Sequence, residues 1–161
     1  LIMLITTSFS SLLTSFPISA DKEIASMNAK VIVKSIIINP RLKRLLLIRR
    51  SSGDDTGAGT WENAGGNVED GEQLEQAMAR EIREETGLTE VRIERVVYAS
   101  LFESRVMNVI IAYLCFTDTE QVSISNEHSE YVWADEQMCR SLLPQGIIDD
   151  FDKNGIFKHL R

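Results

Sequence analysis

The chain has 161 residues, of which 43% are hydrophobic and 25% charged, with a formal net charge of −7. That length fits one domain with a real core. The acidic total argues against a protein that grips nucleic acid or an anionic membrane through broad basic surfaces. Two cysteines, Cys115 and Cys139, cannot build a disulfide framework or a four-thiolate zinc site. They read as reduced thiols of a cytoplasmic protein.

In chain order, residues 1–20 carry no charge and mix apolar runs with Ser and Thr, which makes a poor transmembrane helix. The run Ile18-Ser19-Ala20 before Asp21 faintly resembles a signal-peptide end, but no base precedes Lys22. Residues 1–26 are therefore expected to be a leader or upstream-translated segment, and residues 27–161 the domain. Residues 31–38 are β-branched and almost continuously apolar, which predicts a buried strand. Asn39-Pro40 breaks it, and 45–48 form a second strand. Gly, Ser, Asp and Thr over 51–60 predict a loop. Residues 74–86 lack Gly and Pro and are rich in Glu, Gln, Ala and Arg, which predicts a helix that stops at Gly87. Strands follow at 91–102, 107–116 and 131–133. Asp135 is placed to cap a helix that Pro144 ends, and 147–151 fall in a last helix. Strands on both sides of a central helix predict a mixed α/β domain.

The charge is unevenly spread. Nine acids and two bases lie between Glu62 and Glu90, so this window alone carries the whole net charge. On a helix wheel of about 100° per residue, Ala77, Met78 and Ile82 form an apolar stripe beside Leu74. Glu81, Glu84 and Glu85 fall on that same side, at roughly −20°, −80° and +20° from Leu74. Like charges at this spacing repel, and Glu is rarely buried without a partner. A hard divalent cation would resolve the conflict; a solvated acidic helix is the alternative. Upstream, Arg41, Lys43, Arg44, Arg49 and Arg50 fit either a solvated strand edge or contact with an anion.

Around the helix, Gly66 is followed by five residues, Glu72, seven residues, and Arg80-Glu81-Ile82-Arg83-Glu84-Glu85-Thr86-Gly87-Leu88. This resembles the Nudix box at each of its nine defined positions over 23 residues. Trp61-Glu62-Asn63-Ala64-Gly65-Gly66 is similar to the family's lead-in, with Ala64 where proline is common. Glu127 through Trp133 resembles its late acidic loop and strand. The resemblance implies an α/β/α sandwich with a mixed β-sheet. It also implies a Mg²⁺- or Mn²⁺-dependent hydrolase of nucleoside diphosphate derivatives. Glu81, Glu84 and Glu85 would bind metal with the Gly66 carbonyl, Arg80 would orient them, and Glu72 would support the loop.

A diphosphate repels an attacking water, and divalent cations offset that charge. Glu84, Glu85 or Glu127 would accept the proton, and the residue types leave this choice open. Arg49 and Arg50 are candidates for phosphate contact, and Trp61 for stacking on a base or for packing. The lone His128 and His159 are expected at the surface. Phe102-Glu103-Ser104 lacks the proline that flags ADP-ribose hydrolases, and Ser104-Arg105-Val106 lacks the tyrosine that flags diadenosine polyphosphate hydrolases. The coenzyme A signature is incomplete. What remains resembles MutT-like nucleoside triphosphate pyrophosphatases, which release a nucleoside monophosphate and pyrophosphate. The expected partner is a small nucleotide, with no nucleic acid or membrane, in a monomer or homodimer. The alternatives are hydrolysis of ADP-ribose or a nucleotide sugar, or a non-catalytic nucleotide sensor. An isomerase of prenyl diphosphates on the same fold would want an early-strand cysteine, which the sequence lacks.

Overall fold

The structure is a computed structural model that describes residues 29–53, 57–103 and 106–161. The expected leader, part of the 51–60 loop, and Ser104 and Arg105 lie outside the described residues. The apolar strands follow from burial on both sides. In β1 (Ala29–Asn39), Ile36 and Ile38 face one core while Val33 and Ile37 face another. β2 (Arg44–Arg50) and β5 (Met107–Phe116) alternate in the same way. Strands covered on both faces read as continuous apolar runs, and each fully buried Ile or Leu contributes about 1.5–3 kcal/mol.

The sheet order is β3 (Trp61–Glu62), β2, β1, β5, β4 (Arg92–Glu103), and β6 (His128–Ala134) pairs with β2. β1 and β5 run parallel and the other pairings are antiparallel, so the sheet is mixed. α1 (Leu74–Thr86) packs on one face through Ala77, Met78 and Ile82. α2 (Glu136–Leu142), α3 (Gln145–Lys153) and a 3₁₀ turn (Ile156–Leu160) cover the other through Cys139, Ile148, Phe151 and Phe157. This is the expected α/β/α sandwich. Among the described residues, no helix is long and apolar enough to cross a membrane.

The expected ends of α1 hold: Gly87 adopts a left-handed φ of 68° and its N–H donates to the Arg83 carbonyl. Asp135 caps α2 by accepting the Met138 N–H at 2.9 Å. β6 begins at His128, three residues earlier than predicted, because its pairing with β2 runs back to Arg50. The short strand β3 directly follows the 51–60 segment expected to be loop, at positions for which no element was expected. Cys115 and Cys139 are buried free thiols.

Candidate active site

The segment 63–68 runs along β1 like an irregular extra strand. Ser35 N–H donates to the Ala64 carbonyl, Val33 N–H to Gly66, and Val68 N–H to Val31. The approach is close enough that a Cβ on Gly65, at φ 140°, would stand 2.1 Å from the Val33 carbonyl oxygen. Only glycine fits there. Next door, a Cβ on Gly66 would stand 2.6 Å from Glu81 Oε1. The two glycines thus let the loop lie between β1 and the acidic side of α1.

The three helix carboxylates separate by depth. Glu85 is buried, and its Oε2 accepts the Gly65 N–H at 2.7 Å. Glu81 is half-buried against Gly66, and Glu84 is 60% exposed. Arg80 organises them. Its Nε and Nη2 donate to both oxygens of Glu72 at 2.9 and 3.0 Å, and Nη2 also donates to the Asn67 carbonyl. Its Nη1 reaches Glu81 at 2.7 Å and Glu84 at 3.3 Å. A planar guanidinium suits this forked arrangement. Glu72 above all holds the Arg80 proton, raising its pKa against the effect of desolvation. Arg80, Glu81, Glu84 and Glu85 line a cleft of about 370 Å³, with Arg50, Ser125 and Glu127 on the facing side.

Beneath the cleft lies a buried polar layer. Glu62 takes Lys34 Nζ at 2.7 Å and Arg50 Nη1 at 2.9 Å. Burial pushes its carboxyl up, but His128, Lys34 and Arg50 outweigh that and bring it down to about 2. Glu85 goes the other way. Its burial dominates, Glu62 adds to it, and the group rises to about 7 despite Lys34, the Gly65 N–H and His128. His128, with its side chain 1% exposed, stands between them. Its Nε2 is 3.6 Å from Glu62 and 3.8 Å from Glu85, and Nδ1 meets the Ser125 hydroxyl at 3.2 Å. The expected surface role for His128 is therefore corrected: as the first residue of β6, paired with Arg50, it is drawn into the interior.

The basic run divides. Arg41 pairs with Asp118, Arg44 with Asp135, and Arg49 with Glu130 at 2.7 Å. Arg50 alone of the run lines the cleft. Glu130 is thus occupied with Arg49, which leaves Glu127 as the acid of that loop at the cleft. Trp61 is half-buried against the core on the α3 side, which favours packing over stacking. His159 is exposed and meets Phe116 edge to face. The Gly66 carbonyl accepts the Val33 N–H, and its second lone pair remains for another partner.

A second cavity, about 430 Å³, is lined by Lys34 and Glu62. Tyr98, Leu101, Phe102 and Ile110 from the sheet face Pro144 and Ile147 across it, and Asn63 also lines it. Sequence reasoning missed this groove and the Lys34–Glu62–His128 layer. Lys34 was the available signal, as the lone charge within the otherwise mostly apolar residues 31–38. The groove had none, because its walls come from segments far apart in the chain: β1, β3, β4, β5 and α3.

Comparison with known proteins fits this geometry. The NUDIX domain profile matches residues 29–150, and the chain belongs to the Nudix family. It is 34% identical over 93 residues to the nucleoside triphosphatase NudI of Escherichia coli O139:H28. That match covers half of this chain and 66% of that protein. The MutT protein of Methanosarcina mazei Go1 superposes with a TM-score of 0.72 at 29% identity, covering 81% of this chain and 95% of that one. The Escherichia coli ORF135 protein superposes at 0.63 and 27% identity, covering 81% and 91%. The hydrolase class expected from the box, acting on phosphoric anhydrides, is the class of this family. Divalent metals are general in it.

Proposed function

We propose that this protein hydrolyses a nucleoside triphosphate to the monophosphate and pyrophosphate. The observation that carries the reading is the presence of two cavities linked by the Arg50–Glu62 ion pair, Arg50 lining one and Glu62 the other. An acidic cleft holds the box glutamates, and an apolar groove able to take a base is lined by Lys34 and Glu62 at its polar end. The names of the relatives, a nucleoside triphosphatase and a MutT protein, support this choice over ADP-ribose or nucleotide sugars.

The donor set suits a hard divalent cation. Glu81, Glu84 and Glu85 supply carboxylate oxygens from one helix, with the Gly66 carbonyl beside them. Glu85, raised by burial, lacks enough positive charge around it to be fully ionised at neutral pH without a cation. Mg²⁺ or Mn²⁺, when bound, would offset phosphate charge and acidify a bound water. Arg80 holds Glu81 and Glu84 in place, and Arg50 offers a positive side chain to the phosphates. Glu69, Glu84 and Glu127 are the exposed carboxylates of the cleft; Glu84 stands among the box glutamates and Glu127 on the late loop, and one of these two takes the proton of the incoming water, while Glu85 has one oxygen committed to Gly65.

The test is turnover of a panel of nucleoside triphosphates, ADP-ribose and nucleotide sugars with Mg²⁺, by wild type and Glu84→Gln. Release of pyrophosphate from a triphosphate, lost in the variant by about 10²-fold or more, supports the proposal. Turnover of ADP-ribose alone, or no turnover of any compound, overturns it.

A further inference from the structure

Asn63 sits where β3 gives way to the glycine loop, and only 4% of it is exposed. Its backbone is engaged, because its carbonyl accepts Lys34 Nζ at 3.1 Å. Its neighbours are engaged too: Glu62 holds Lys34 and Arg50, and the Ala64 carbonyl accepts both the N–H and the hydroxyl of Ser35 at 2.8 Å. The side chain takes no part in this. Asn63 Nδ2 is buried and has no hydrogen-bond partner among the described residues. Folded proteins carry few such groups, because a buried amide that has left water without finding an acceptor is costly. Leucine has nearly the same shape and would suit the apolar groove that Asn63 lines. The fold around Asn63 therefore gives no reason for an amide.

We infer that Asn63 reads the hydrogen-bonding edge of a nucleobase seated in this groove, and so determines which base the enzyme accepts. The inference rests on the nucleotide hydrolase reading above. Tyr98, Leu101, Ile110 and Ile147 offer apolar contact that any base can use, and such contact discriminates weakly. Glu62 is held by Lys34 and Arg50, and an ionised carboxylate can only accept hydrogen bonds from a base. An amide presents a donor and an acceptor side by side, as base edges do. The matching base pairs with it, and a mismatched base leaves buried polar groups unpaired on both sides, which is the kind of mismatch that discriminates strongly.

The test compares wild type, Asn63→Leu and Asn63→Asp in two measurements. One is calorimetric binding of the four nucleoside 5′-monophosphates without divalent metal. The other is kcat/KM on the four triphosphates with Mg²⁺. Wild type should prefer one base by about tenfold or more. Asn63→Leu should compress that spread to about threefold in both measurements while melting at or above the wild-type temperature, since an unpaired polar group has been removed. Asn63→Asp should reorder the bases, because a carboxylate only accepts. An unchanged order and spread in the variants overturns the inference. So does equal weakening of all four nucleotides together with a lower melting temperature, which marks a structural role. Base-selective binding that depends on Asn63, without turnover, keeps the inference and removes the hydrolase reading. Turnover with an unaltered spread does the reverse.

Discussion

The buried carboxylate of Glu85 on α1 accepts the backbone N–H of Gly65 at 2.7 Å, which ties the acidic helix to the loop that lies along β1. This bond joins the two halves of the box. It also places a carboxylate where its charge is poorly solvated, with Glu62 close by.

The first prediction follows from that placement. Glu85 rises from an ordinary 4.5 to about 7, so the fold favours its neutral form. The stability linked to this group is fully present below about pH 4.5 and is lost as pH rises through about 7. Without divalent cation, Glu85→Gln should melt above wild type at alkaline pH, by up to about 3 kcal/mol. The two should converge in acid, where wild type is also neutral at this site. Thermal melts in chelator across pH check this. A variant that is less stable than wild type at every pH would refute it.

Glu62 predicts the opposite sign. It falls from 4.5 to about 2 because, although burial raises it, His128, Lys34 and Arg50 hold the charged form. Its stabilisation is present above about pH 4.5 and fades as pH falls toward 2. Glu62→Gln should therefore lose about 3 kcal/mol at neutral pH, with Lys34 and Arg50 left facing a neutral amide. The loss should shrink steadily in acid. Urea titrations at several pH values measure it, and a loss that does not depend on pH would count against the assignment.

The glycine loop predicts a contrast between two alanine variants. In Gly65→Ala the new Cβ meets backbone of β1 at 2.1 Å, which no rotamer change can relieve. A destabilisation of at least about 3 kcal/mol is expected. Gly71 also has a positive φ, 80°, but a Cβ there meets nothing within 4 Å. Gly71→Ala should cost only about 1–2 kcal/mol of backbone strain. Chemical denaturation of both variants decides, and equal losses would show that the close approach to β1 does not matter.

Arg80→Lys should separate activity from stability. Lysine keeps the charge but cannot hold both oxygens of Glu72 while reaching Glu81, Glu84 and the Asn67 carbonyl. A residue that orients metal ligands typically loses 10–100-fold on such a change, so kcat with Mg²⁺ should fall by about that much. The melting temperature should fall less sharply, because lysine keeps the positive charge among Glu72, Glu81 and Glu84. Steady-state kinetics across Mg²⁺ concentrations test it; full activity would remove the orienting role.

Much of the fold was legible because its signals are local. Residues 74–86 carry strong helix formers and end at Gly87, and the structure places α1 at those limits. The strands 31–38, 45–48 and 107–116 announced themselves by apolar runs long enough for burial on both faces. The box spacing identified the family and put three glutamates on one side of one helix. Local spacing could not show their depths: Glu85 is buried, Glu81 half-buried and Glu84 exposed, because the loop 63–68 covers one end of the cluster and not the other.

The sequence by itself determined the helix, the gathering of three carboxylates on one side of it, and the family, since each depends on residues close together in the chain. Only the tertiary structure decided that Arg50 and not Arg49 meets the cleft, that His128 stands buried between Glu62 and Glu85, and that Asn63 lines a groove with an unpaired amide. Those facts arise from strand register and from segments far apart in the chain. A one-residue difference in pairing turns a side chain from one face to the other, and no local pattern encodes which face the rest of the molecule will cover.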